Sequence, residues 1–159
     1  MDDVTFARAL HVLAVVLWIG GVGLVTTVLL PALRRVRGSV ERIALFEAVE
    51  GHFGRQARIS ILVAGVSGLY MLVRMQAWDR FASLSYWWMH AMVLVWLIFA
   101  GMLFVLEPLV LHRLFAERAR RSPDATFRTI QRFHTILLAL SLLTVFGTVA
   151  GSHGLSLFD

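Results

Sequence analysis

The fold class predicted is an all-α integral membrane four-helix bundle with both termini on the outer side, and three observations predict it. The chain of 159 residues is 58% hydrophobic with a mean hydropathy of +0.76, too apolar for a soluble core of that size. Four apolar runs, 10–33, 59–73, 91–111 and 135–151, approach or reach the roughly 20 residues that cross about 30 Å of hydrocarbon. All the basic residues are arginine, and twelve of the fifteen lie in two segments, Arg34 to Arg58 and Arg113 to Arg132. By the positive-inside rule those segments are cytoplasmic, which sets both termini outside an inner (cytoplasmic) membrane, in the periplasm or the extracellular space. Topology and contact with anionic headgroups account for the charge, so no nucleic-acid partner is predicted. With flanking residues the spans become about 5–33, 56–77, 86–112 and 128–152 of a single domain.

The first span opens on MDDVTFARAL, two acids that run directly into a full-length apolar stretch, so no cleavable leader is expected. It closes at LLPALRR, where Pro31 bends the last turns and the arginines meet the headgroups. The loop that follows, SVERIALFEAVEGHF, reads as a short amphipathic helix on the inner interface. It is capped by Ser39, carries Val40, Ile43, Phe46 or Ala44, and Val49 at helical spacing, and stops near Gly51. The second span, SILVAGVSGLY, places Gly65 and Gly68 where backbones can approach closely, either within the chain or in a homodimer. Trp78, Tyr86, Trp87 and Trp88 mark the outer interface before the third span. Ser122 and Pro123 break the chain before the fourth. Spans one and three share an order of outer histidine, apolar run, proline and inner arginine, a faint sign of a duplicated two-helix unit.

The six histidines sort by depth. His11 precedes Arg34 by 23 residues and His90 precedes Arg113 by 23, so the two rings fall at one level near the outer face. His153, 21 residues after Arg132, joins them within about one turn. His52, His112 and His134 form an inner trio. An interfacial ring that snorkels is the structural alternative for each. Two imidazoles at one depth on separate helices are the ligand set of a six-coordinate heme iron, with His153 as substitute ligand. Arg8, one turn before His11, and Arg74 then pair with the propionates, or Arg74 binds headgroups. A second site uses two of the inner histidines with Arg58 and Arg55. One heme b is expected, or two if both trios are used.

A copper reading competes. Met71 and Met75 are one turn apart, and WWMHAM sets Met89 and Met92 around His90, a soft donor set suited to Cu(I). Packing is the ordinary use of methionine in a span. Glu107 is the one carboxylate within an apolar run, either a proton relay or a salt-bridge partner of Arg132 or Arg58. The absence of cysteine excludes disulfides and thiolate metal sites. No nucleophile triad, phosphate loop or paired-carboxylate motif occurs, so no catalytic residue is assigned.

At His11, Trp18, Gly20, Gly21 and Pro31, the run ALHVLAVVLWIGGVGLVTTVLLPALRR resembles the first helix of the copper resistance protein D (CopD) superfamily. That superfamily is related to the HemJ-type protoporphyrinogen oxidases, in which a histidine followed by Trp and Gly at this spacing is implicated in heme b binding. The resemblance implies a four-helix membrane fold, a heme or copper association, and cofactor contacts at Trp18 and Gly21. Two positions depart from the HemJ pattern. Met92 stands where a functional lysine is expected in helix 3, and Thr26 and Thr27 occupy the region of a helix 1 arginine. The departures speak against porphyrinogen oxidation, while heme binding through His11 carries over. The functional expectation is thus a heme b protein with a redox or electron-transfer role, or a membrane oxidoreductase. The alternative is a copper transport or homeostasis protein. Electron donor and acceptor are not legible.

Overall fold

The computed structural model describes residues 2–36, 38–111, 117–118 and 121–154. His112, Arg113 and Arg120 lie outside them. The described residues form an all-α bundle with four helices long and apolar enough to cross a membrane. Helix α1 covers 2–33, α-helical over Asp2–Leu24 and Leu30–Leu33 with a π-helical stretch Val25–Leu29 between them. Helix α2 is Ser39–Arg74. Two 3-10 turns, Ala77–Ala82 and Leu84–Tyr86, lead into α3, which covers 87–111 and turns from α-helical (Trp87–Gly101) to π-helical (Met102–Leu111). Helix α4 is Pro123–Ser152. The closest packing is between α1 and α2 and, next, between α3 and α4.

The molecule is apolar outside as well as inside. Phe6, Ile59, Val66, Leu109 and Phe146 are each about two-thirds exposed, which in water would drive aggregation and in a bilayer is the surface that lipid chains solvate. The core at the centre joins all four helices: Trp18 and Val22 from α1, Ile61 from α2, Val95 and Phe99 from α3 and Leu137 from α4. Trp18 meets Phe99 edge to face at 4.9 Å between centroids. A second cluster, Val25, Leu30, Leu33, Phe46 and Phe127, closes the arginine-rich end between α1, α2 and α4.

Three local expectations are corrected. The amphipathic segment after Arg35 is helical but not separate: α2 runs unbroken from Ser39 through Gly51 to Arg74. A glycine costs a helix about 1 kcal/mol, and Phe46 and Phe53, packed on both sides of Gly51 against the second cluster, outweigh it. The residue before the helix is Gly38, in an extended conformation, so Ser39 is the first helical residue and not the cap. Val40, expected on the packed face, is 75% exposed; Phe46 is buried as expected, and Arg42 is buried with it.

A further correction concerns glycine. Gly65 receives a ring, not a backbone: a methyl group there would lie 2.6 Å from the Trp96 indole, whose Nε1 donates to the Ile61 carbonyl at 2.9 Å. Gly147 seats Trp87 in the same way, and Gly151 seats Trp88. The tryptophans of α3 therefore double as spacers between that helix and its neighbours.

Two prolines sit at π-helical stretches, and both leave a carbonyl to be satisfied from elsewhere. In i to i+5 bonding, Leu30 N–H reaches the Val25 carbonyl, and the next donor in register, residue 31, is a proline with no N–H. The carbonyl it strands is that of Thr26, and Gln131 of α4 donates to it from Nε2 at 2.8 Å. In α3 the same count from Pro108 strands the carbonyl of Leu103, and Arg58 of α2 donates to it from Nε at 3.3 Å. A neighbouring helix repairs each break, the condition on which a lipid-embedded helix tolerates proline.

Candidate functional site

Among the described histidines, His11 alone bonds across to another membrane helix. His52, His134 and His153 each turn Nδ1 back to the carbonyl four residues earlier, at Ala48, Ile130 and Val149. His52 and His153 are exposed, and His134 is half-buried beside Phe133. His90, exposed, places Nε2 3.0 Å from the Phe81 carbonyl and packs edge-on against the Phe81 ring. It is thereby tied to the outer connection.

His11 is half-buried between α1 and α2. Its Nδ1 lies 2.9 Å from the Ala64 carbonyl and 3.1 Å from Ser67 Oγ. Gly68 makes room for the ring: a methyl group there would stand 3.2 Å from His11 Cε1. Ser67 Oγ is itself 2.6 Å from the Val63 carbonyl, so the hydroxyl proton has an acceptor within its own helix. A carbonyl only accepts, so the Ala64 contact places the proton on Nδ1 and leaves the lone pair on Nε2. That tautomer, held by a backbone carbonyl, is the one metal-ligating histidines commonly use.

The remaining residues divide. Trp18 is 4% exposed, and its Nε1 has no acceptor among the described residues. A methyl group on Gly21 would run into Phe53, so that ring occupies the space the glycine opens. Arg8 is exposed. Arg74 is engaged by Asp3 at 2.7 and 3.0 Å, a partner the sequence reading did not weigh, and Tyr70 donates to the same carboxylate at 2.9 Å. Glu107 pairs with Arg58 at 2.7 Å, one of the two arginine partners expected for it. Met71, Met89 and Met92 are half-buried and Met75 is exposed. Among the described residues no group of three or more His, Cys, Asp or Glu converges to hold a metal ion. His11, His90 and His153 therefore form no such three-residue group, and His112 of the inner trio lies outside the described residues.

Beside His11 lies an apolar groove of about 460 Å³ between α1 and α2. Leu10, Leu62 and Val66 line it, Ser67 joins it to the histidine, and Asp3 and Tyr70 stand at the end nearer the start of α1. Its size falls within the range of about 300–1,000 Å³ typical of small-molecule and cofactor sites. Sequence reasoning missed Ser67, Asp3 and Tyr70. The one available signal was Ser67 itself, a polar residue inside an apolar run.

No family model, no curated protein and no solved structure matches the chain.

Proposed function

We propose that the protein binds heme b in the membrane, that His11 would be one of the residues holding the iron, and that the protein serves a redox or electron-transfer role. The observation that carries the reading is the His11 tautomer: Nδ1 is committed to the Ala64 carbonyl, and Nε2 keeps its lone pair. A neutral imidazole with a backbone-held N–H is a strong, oriented donor to iron. The residues fit a heme on this side of the site. His90 would be the second residue to hold it, through the ring nitrogen that does not face Phe81, with His153 as its substitute. Bound heme would supply one-electron chemistry; the chain's own part is to hold and orient the ring, to keep water from the apolar groove, and to set the local charge through the Asp3–Arg74 pair at its outer end. The arginine distribution supports a location in an inner membrane with the His11 end outward.

The test is a reduced-minus-oxidised visible spectrum of the purified protein, with pyridine hemochrome to count heme per chain. A b-type spectrum lost in His11→Ala, with the fold retained by circular dichroism, is the expected result. Ser67→Ala should keep the heme and move its midpoint potential, because the substitution alters the polar surroundings of the Nδ1 hydrogen bond without touching the ligand. A preparation that stays colourless when heme is supplied overturns the reading. Stoichiometric Cu(I) binding in that preparation, lost on substituting Met71 and Met75, would establish the copper alternative.

A further inference from the structure

At the arginine-rich end, away from His11, a pocket of about 200 Å³ is lined by Arg34, Arg42, Asp124, Phe127 and Arg128. It draws on three helices: Arg34 follows the last turn of α1, Arg42 lies in the first turns of α2, and the others belong to the first turns of α4. Arg42 is the unusual member. Only 8% of its surface is exposed, and arginine is almost never that buried unless paired. Its pairing is incomplete. One terminal nitrogen meets Asp124 at 2.9 Å, and the guanidinium carbon sits 5.0 Å from the Phe127 ring centroid. The buried Nε has no acceptor among the described residues.

A buried N–H of a charged group left without an acceptor is costly. The lining sets three guanidiniums against one carboxylate, so the pocket is short of negative charge. Helix α4 begins here with no side-chain cap among the described residues, and the first-turn N–H groups of a helix favour an anion. Arginine forks match the tetrahedral oxygens of a phosphate in geometry and charge. We propose that this pocket binds a phosphate group, seated on Arg42 and closed by Arg34 and Arg128. The group belongs either to an anionic phospholipid or to a free phosphate compound.

The test is native mass spectrometry of the full chain in nonionic detergent, titrated with phosphatidylglycerol and, separately, with a diacylglycerol of the same chains that lacks the phosphate. Phosphatidylglycerol should be retained selectively, and the double variant Arg34→Gln/Arg128→Gln should weaken it about tenfold. Those two residues are exposed, so the variant leaves the Arg42–Asp124 pair in place. The matched variant Arg35→Gln/Arg132→Gln removes as much charge from exposed positions outside the pocket, and its binding should stay within about twofold of the parent. Displacement of the lipid by millimolar inorganic phosphate would support the site and identify a free phosphate compound as sufficient; retention against phosphate would support it and assign the site to lipid. Equal weakening in both double variants, equal retention of diacylglycerol, or binding of neither phosphatidylglycerol nor inorganic phosphate would overturn the proposal.

Discussion

The π-helical stretches of α1 and α3 face the same problem, and different side chains answer it. At Pro31 the stranded Thr26 carbonyl accepts from Gln131, a neutral amide. At Pro108 the stranded Leu103 carbonyl accepts from Arg58, which also holds Glu107. The donor to α1 comes from α4 and the donor to α3 comes from α2, the exchange expected if a two-helix unit were repeated about an axis through the bundle. The neutral version needs one hydrogen bond. The charged version closes a network in which a guanidinium, a carboxylate and a backbone carbonyl depend on one another. Within lipid, a proline can thus be repaired by an amide, whose own Oε1 is here buried without a donor among the described residues, or by an ion pair that adds a constraint between helices.

The comparison is broken most severely by Arg58→Ala, which leaves Glu107 unpaired and the Leu103 carbonyl unsatisfied at once. Both partners keep about a third of their side-chain surface exposed, so the loss should fall below that of a fully buried pair, at about 2 kcal/mol, read as a lower melting temperature in detergent. Adding Glu107→Gln to Arg58→Ala should recover part of it, and the double-mutant cycle isolates the ion pair. Gln131→Leu should cost about 1 kcal/mol, a single neutral hydrogen bond. Gly65→Ala, which drives a methyl group into Trp96, should also cost about 1 kcal/mol or somewhat more, whereas Gly20→Ala, with nothing within 4 Å, should change stability little. The smallest and sharpest test is Pro108→Ala. It restores the N–H in register with Leu103, so in that background Arg58→Ala should cost about 1 kcal/mol less than in the parent, the worth of one hydrogen bond. An unchanged cost would mean that Arg58 serves Glu107 alone.

Much of the architecture was legible because the bilayer makes hydropathy and helix length nearly the same measurement. Four helices long and apolar enough to cross a membrane could be read from residue order. Helix rotation could not. Depth counting set His11, His90 and His153 at one level, but which way each ring turns depends on the neighbouring helix, and only His11 found an acceptor on another membrane helix, at Ala64. The Asp3–Arg74 pair joins residues 71 positions apart, a separation that no local pattern encodes. Glu107 was given two arginines to choose between, and Arg58 takes it. Gly65 and Gly68 were read as places for backbones to approach because small residues in spans often serve that purpose. Here rings occupy them, an outcome set by Trp96 and His11 on other helices.

The unbroken helix Ser39–Arg74 carries a mechanical consequence. Its 36 residues make a rod of about 54 Å, well beyond the roughly 30 Å of hydrocarbon, so it either leans or projects from the membrane. Arg42 and Ala64 stand on that rod about 33 Å apart at 1.5 Å per residue, one in the pocket at the arginine-rich end and the other holding the ring of His11. Any rotation of α2 as one body would carry both together, so the pocket and the histidine are hung on a single shaft, as the bow and the bit of a key are.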